Sequence, residues 1–336
     1  MVEGNAMDLN LFQFDYDMSF AGFFMNADKT IYGRYGTRAT RPDEADKYVS
    51  LTGLRAAMTG ALTLHKNVAN YRPRLAGKTG PPSKQATPLD YASIGGKFKD
   101  RVDYASPKVA GTCVHCHQIQ DAMRKEYRLS NQPIPDRVLY PWPMPDIIGL
   151  ACDPDTRGTV TKVTPGTPAA KAGFRVGDVV LALNGQPILS LADIQWVLHN
   201  AEPTDTIKAT VRRAGKNGEL NIQLPVGWRE KTDISWRTSS WDLRRMLTGG
   251  ISFDAPTSTT KLELPIKNVG KYNDHAVAKN AGIRAGDVVV EWNGKTDPMN
   301  ESELFAYTIK HTKVGDMLPV KVRRSGKVLE MKIRMQ

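Results

Sequence analysis

Cysteine is scarce in these 336 residues: there are three in all, too few for a disulfide framework. Long apolar runs are missing too. Stretches such as Val179–Leu183 and Ile147–Cys152 are strand-sized, far short of a bilayer-spanning helix. Residues 1–10 have neither a basic start nor an apolar core, so no export leader is visible. No nucleic-acid motif accompanies the 46 Lys and Arg, which are spread along the chain. The formal net charge of +11 therefore points to acidic proteins, an acidic redox partner or an anionic membrane surface, and away from nucleic acid. A Gly-rich segment around a nucleophilic serine is also wanting, and residues 1–146 show no run of short strands. Acyl-transfer chemistry is thus left without a placed Ser, His and acid, and no enzyme is expected.

What is present begins with a repeat. Ala172-Gly173-Phe174-Arg175-Val176-Gly177-Asp178-Val179-Val180 returns as Ala281-Gly282-Ile283-Arg284-Ala285-Gly286-Asp287-Val288-Val289, and each copy runs on to an Asn-Gly pair. Ala-Gly ends a helical turn, Gly-Asp turns into an apolar strand, and Asn-Gly is a strong hairpin signal. Each copy then predicts a helix, over Leu191–Asn200 and Glu301–His311. Two closing strands follow each helix, Ile207–Arg213 with Glu219–Leu224 and Leu318–Arg324 with Val328–Met335.

This doubled string resembles the PDZ family in the strand order of bacterial periplasmic proteases, over 146–226 and 247–336. The resemblance implies binding of protein C-termini or extended peptides. A carboxylate would sit on backbone N–H groups of an apolar-Gly-apolar loop, and the peptide would add as a strand beside it. Ile148-Gly149-Leu150 and Gly250-Ile251-Ser252-Phe253 match the loop. The facing helices supply Ile194, Val197 and Leu198, and Leu304, Tyr307 and Thr308. The alternative is that these residues are core, with grooves occluded by neighbouring segments. Residues 227–246 hold Trp228, Trp236 and Trp241 among charges and read as a strap between the modules.

Upstream, Cys113-Val114-His115-Cys116-His117 resembles the attachment site of c-type cytochromes. The resemblance implies one covalent haem c on Cys113 and Cys116 with His117 on the iron, and a helix over Gln118–Arg128. A four-ligand metal site that includes His115, a redox-active dithiol and a chance motif stand as alternatives. His65 is preferred to Met144 as second iron ligand. It ends a helix predicted over 43–67, on a stripe of Leu54, Met58 and Ala61.

Phe20–Gly36 reads as a hairpin. With the helix after it, the segment resembles the last two strands and terminal helix of a thioredoxin-like domain, though Met18-Ser19-Phe20 stands where that family has a proline. Haem attachment and the missing leader together suggest that Met1 is internal to a longer exported, periplasmic protein. The expected fold class is α+β and multidomain, divided as a thioredoxin-like piece (1–75), a loop, haem-c-like segment and Pro-rich connector (76–145), two PDZ domains with β-barrel-like sheets (146–226 and 247–336) and their linker. The expected function is an exported PDZ adaptor with haem-based electron transfer or redox sensing. A thioredoxin-like thiol oxidoreductase and a cofactor-free scaffold are the alternatives.

Overall fold

The computed structural model describes residues 2–18, 20–38 and 42–336; Met1 and Ser19, on which two expectations rest, lie outside the described residues. In chain order the helices and strands are β1 (Gly22–Met25), β2 (Ile31–Tyr35), α1 (Leu51–Lys66), α2 (Val68–Leu75), α3 (Cys116–Leu129), α4 (Asp136–Leu139), β3 (Leu150–Cys152), β4 (Val160–Val163) and α5 (Pro168–Lys171). They continue with β5 (Val179–Leu183), β6 (Gln186–Pro187), α6 (Leu191–Asn200), β7 (Asp205–Arg213), β8 (Lys216–Leu224), α7 (Ser240–Thr248) and β9 (Ile251–Phe253). The chain ends with β10 (Leu264–Val269), α8 (Val277–Asn280), β11 (Val288–Trp292), α9 (Glu301–His311), β12 (Met317–Arg324) and β13 (Lys327–Arg334).

Two units result, and they do not follow the linear five-part division. One comprises residues 1–116 and 140–232, the other residues 117–139 and 233–336. The tryptophan-bearing linker is divided between them. Trp228 is buried in the first module's core, whereas Trp241 in the second unit is 56 % exposed.

The first module has the pairs β3–β4 and β6-β5-β7-β8, tied by the Thr159–Val179 bridge. The second has one antiparallel sheet in the order β13-β12-β11-β10-β9. The repeat explains both. Asn184-Gly185 and Asn293-Gly294 are left-handed in succession, with asparagine φ of 46° and 48°, as two-residue hairpins require. Each Gly-Asp turn is then locked from the closing strand. Arg213 donates to both carboxylate oxygens of Asp178 at 2.7 Å, and Arg324 does the same to Asp287 at 2.6 Å. These bidentate pairs are charge-assisted and fix the turn against the sheet.

In the N-terminal part, the hairpin and helix form as predicted, but β1 and β2 make a sheet of two strands among the described residues. Two strands and one helix are all that the partial thioredoxin-like resemblance implied, and this hairpin by itself does not show that fold. The helix also begins later. Residues 42–47 form a 3₁₀ turn, and Ser50 caps α1 by accepting from Gly53 N at 2.9 Å. Its buried residues are Gly53, Ala57, Gly60, Ala61 and Leu64: Ala61 is on the predicted stripe, the other four lie one position before it, and Met58 is 50 % exposed.

Candidate functional site

The two loops matched by sequence to carboxylate capture take shape from glycines. Gly149 follows a 3₁₀ turn over Pro145–Ile148 with φ of 87°, and a Cβ there would lie 2.0 Å from Thr167 Oγ1. Gly250 has φ of 94°, and its Cβ would meet His275 O at 1.9 Å. Only glycine fits either place. Beside these loops, β3 pairs with β4, and β9 is the edge strand of the second sheet.

The residues expected to line the grooves are brought together, and they are buried. Ile148, Leu150, Ile194, Val197 and Leu198 share one core cluster, each 3 % exposed or less. In the second module, Ile251 and Leu304 are fully buried, and Phe253 packs edge-on to Trp292 at 6.4 Å. Thr308 Oγ1 accepts from Trp292 Nε1 at 2.8 Å and donates to Leu304 O. Tyr307 is half-buried, donates to Asn293 O and stacks on His311.

Covering segments account for this burial. In the first unit, Ala192 to Leu198 of α6 are buried on every side. Asp193 receives Arg34 N at 3.1 Å and Leu189 N at 2.9 Å, and Lys78 Nζ lies 2.7 Å away with neither side chain exposed. The Arg34 guanidinium stacks 3.7 Å over Trp196. Burial depresses the Lys78 ammonium while Asp193 opposes the shift. Gln195 Nε2 donates to Trp142 O at 3.3 Å and reaches Met144 Sδ at 3.1 Å. In the second unit, Arg244 forms a bidentate pair with Glu301, and Ile234 N donates to Ser302 Oγ at 2.9 Å. Sequence reasoning missed Lys78 and Asp193. Their one signal is an aspartate in the middle of an otherwise apolar helix, which must be paired if buried.

The C-x-x-C-H residues are placed differently. Cys113 ends a 3₁₀ turn, and Cys116 opens α3. Fully buried Asn5 holds the stretch through Thr112 O at 2.9 Å and Val114 N at 2.7 Å. The Cys113 thiol donates to Val114 O, and burial followed by Cys113 pushes the Cys116 thiol up. A raised thiol is a poor nucleophile at neutral pH. His117, in the second unit, lies with Nδ1 3.6 Å from Asp121, whose carboxyl burial drives to about 6 against the lowering effect of His117. His115 Nε2 faces Ala110 O at 3.0 Å. Among the described residues no group of three His, Cys, Asp or Glu is arranged to hold a metal ion, so the four-ligand alternative is not assembled. His65 is exposed, with Nδ1 2.8 Å from Tyr32 Oη. Met144 rests on α6 through Gln195. Cys152 is a core residue whose thiol burial pushes up to about 12.

Residues 146–224 match the PDZ domain family. Over 170 residues the chain is 28 % identical to a probable periplasmic serine endoprotease DegP-like of Pseudomonas putida, covering 50 % of this chain and 35 % of that protein. It is 29 % identical over 134 residues to the periplasmic pH-dependent serine endoprotease DegQ of Escherichia coli, covering 40 % of this chain and 28 % of DegQ. A solved HtrA3 PDZ domain bound to a phage-derived ligand is 25 % identical over 19 % of this chain and 59 % of its own, with a TM-score of 0.18. The chain spans about a third of the length of the curated relatives it matches. The relatives' names are those of serine endoproteases. They correct the electron-transfer adaptor reading, with its haem, cytochrome and thioredoxin-like elements and its two alternatives, and they correct the expectation of a non-enzyme. The chain carries a PDZ domain and is homologous to HtrA/DegP-type PDZ-containing proteins.

Proposed function

We propose that this chain works in periplasmic serine endoproteolysis, its PDZ modules gripping an extended or C-terminal segment of the client polypeptide. The observation that carries this reading is the kinship with DegP-type endoproteases over half of the chain. The first module's PDZ match and its glycine-built loop at Gly149 support the gripping part. A sheet edge beside such a loop offers ladder bonds to any backbone, so it holds many sequences with modest affinity.

The test uses fluorescent β-casein with the full chain. Saturable binding followed by anisotropy, and cleavage on gels that diisopropyl fluorophosphate suppresses, are expected. Lack of binding refutes the grip. Binding with no cleavage refutes proteolysis by this chain's own residues and leaves the grip standing.

A further inference from the structure

We propose that Tyr140–Met144 is a built-in competitor for the first module's peptide site, and that the site accepts ligands bearing a large aromatic side chain in the place Trp142 now holds. The inference rests on the gripping function proposed above. Trp142 is 4 % exposed and belongs to the same buried cluster as Ile148, Leu150 and Leu198, the residues matched to a peptide pocket. Its indole lies flat on His199, with ring centroids 4.5 Å apart and planes at 8°. Its N–H donates to His199 Nδ1 at 3.3 Å, and its C=O accepts from Gln195 Nε2 at 3.3 Å. Helix α6 thus holds one backbone donor, one backbone acceptor and one aromatic ring of a passing segment. An incoming peptide brings the same three groups.

Two features mark the segment as displaceable. Trp142 has φ of 50°, a left-handed conformation that bulky residues adopt only under strain. The buried Oε1 of Gln195 has no hydrogen-bond donor. A ligand N–H would satisfy that oxygen while the tryptophan relaxed, so exchange of one occupant for the other is favoured at both ends. The volume of an indole sets the ligand class. A small terminal side chain would leave most of the pocket empty and lose the contacts that Trp142 makes.

The experiment measures fluorescein-labelled decapeptides, ending in phenylalanine or in alanine with a free carboxylate, against the full chain and Trp142→Gly. Glycine takes the same φ without strain. The phenylalanine peptide should bind the folded variant at least ten-fold more tightly than wild type, and the alanine peptide should bind both weakly. Hydrogen exchange of the wild-type chain needs no variant to fold. Saturating phenylalanine peptide should speed exchange over 140–144 and slow it over 150–152. Equal affinities for wild type and variant, or unchanged exchange at 140–144 with peptide bound, overturn the competitor while leaving peptide binding intact. Tighter binding of the alanine peptide overturns the ligand class. Absence of binding to both proteins, with no exchange response, removes the gripping function and this inference with it.

Discussion

Replacing Lys78 with methionine should cost the first unit about 3–5 kcal/mol, because it strips the counter-charge from a carboxylate that cannot reach water. The magnitude follows from the geometry. Asp193 and Lys78 are both fully buried and 2.7 Å apart, and Lys78 Nζ also donates to Pro187 O at 2.6 Å. In K78M the carboxylate keeps two backbone donors, from Arg34 and Leu189, so it stays bonded but is left as an uncompensated charge. The reverse change, Asp193→Asn, strands an ammonium whose pKa burial already lowers. That ammonium can shed its proton, which from its ordinary value near 10.4 costs about 5 kcal/mol at pH 7 and caps the loss. Replacing both, as K78M with D193L, should cost at least about 2 kcal/mol less than the two single changes summed. Urea unfolding followed by far-UV circular dichroism at pH 7 reads these differences. Because the pair is dry, 0.5 M NaCl should leave them unchanged. A K78M loss below about 1 kcal/mol, or one that vanishes in salt, would refute the reasoning.

Gly149→Ala and Gly250→Ala combine a left-handed φ with a Cβ placed about 2 Å from another atom. Each should lower stability by at least about 2 kcal/mol. G250A should be the harsher, since its clash is with backbone and that of G149A with a side chain; thermal melts compare them. Asp178 is held below the usual carboxylate range, chiefly by its bond from Arg213. A depressed folded value means that its stabilisation is complete above the unfolded value near 3.9 and is lost as pH falls through the lower folded value. Asp178→Asn should therefore lower the urea midpoint at pH 7 and flatten its acid limb below pH 4. Arg213 is about a third exposed, so the effect should stay near 1 kcal/mol. An unchanged acid limb in D178N would refute the assignment.

The parts of the fold that were legible in the sequence are those fixed locally. The helices at 191–200 and 301–311 appear with the predicted ends, and both Asn-Gly pairs make the hairpins their chemistry requires. Helix α1 shows where periodicity misleads. Large apolar residues at Leu54 and Met58 suggested the buried face, yet Met58 is half-exposed and the buried positions at 53, 57 and 60 are Gly, Ala and Gly. Close approach decides that face. A Cβ on Gly53 would sit 1.9 Å from Pro154 O, and one on Gly60 would sit 2.8 Å from Leu189. Hydrophobicity counts reward bulk, whereas a helix pressed closely against its neighbours needs its absence. Similarly, Lys78 lies in the segment read as a loop, and nothing local reports that its ammonium meets an aspartate 115 residues on.

Helix α6 also explains why pocket residues and core residues were indistinguishable from sequence. A helix beside an open groove keeps one face in water and should carry one polar stripe. Leu-Ala-Asp-Ile-Gln-Trp-Val-Leu has none, and its polar members, Asp193 and Gln195, point at different covering segments: Asp193 at Arg34 and Lys78, Gln195 at Trp142 and Met144. Each is buried and bonded to a residue outside the module. Two isolated polar residues on different sides of an otherwise apolar helix are what a helix covered from two directions requires, because every backbone or charged group brought against it must find a partner. The same pattern opens α9, where Glu301 and Ser302 meet Arg244 and Ile234. In each module, then, the segment that leads into the glycine-built loop also engages the helix opposite it. On the proposed function, a peptide entering beside Gly149 would compete with contacts the chain already makes to itself.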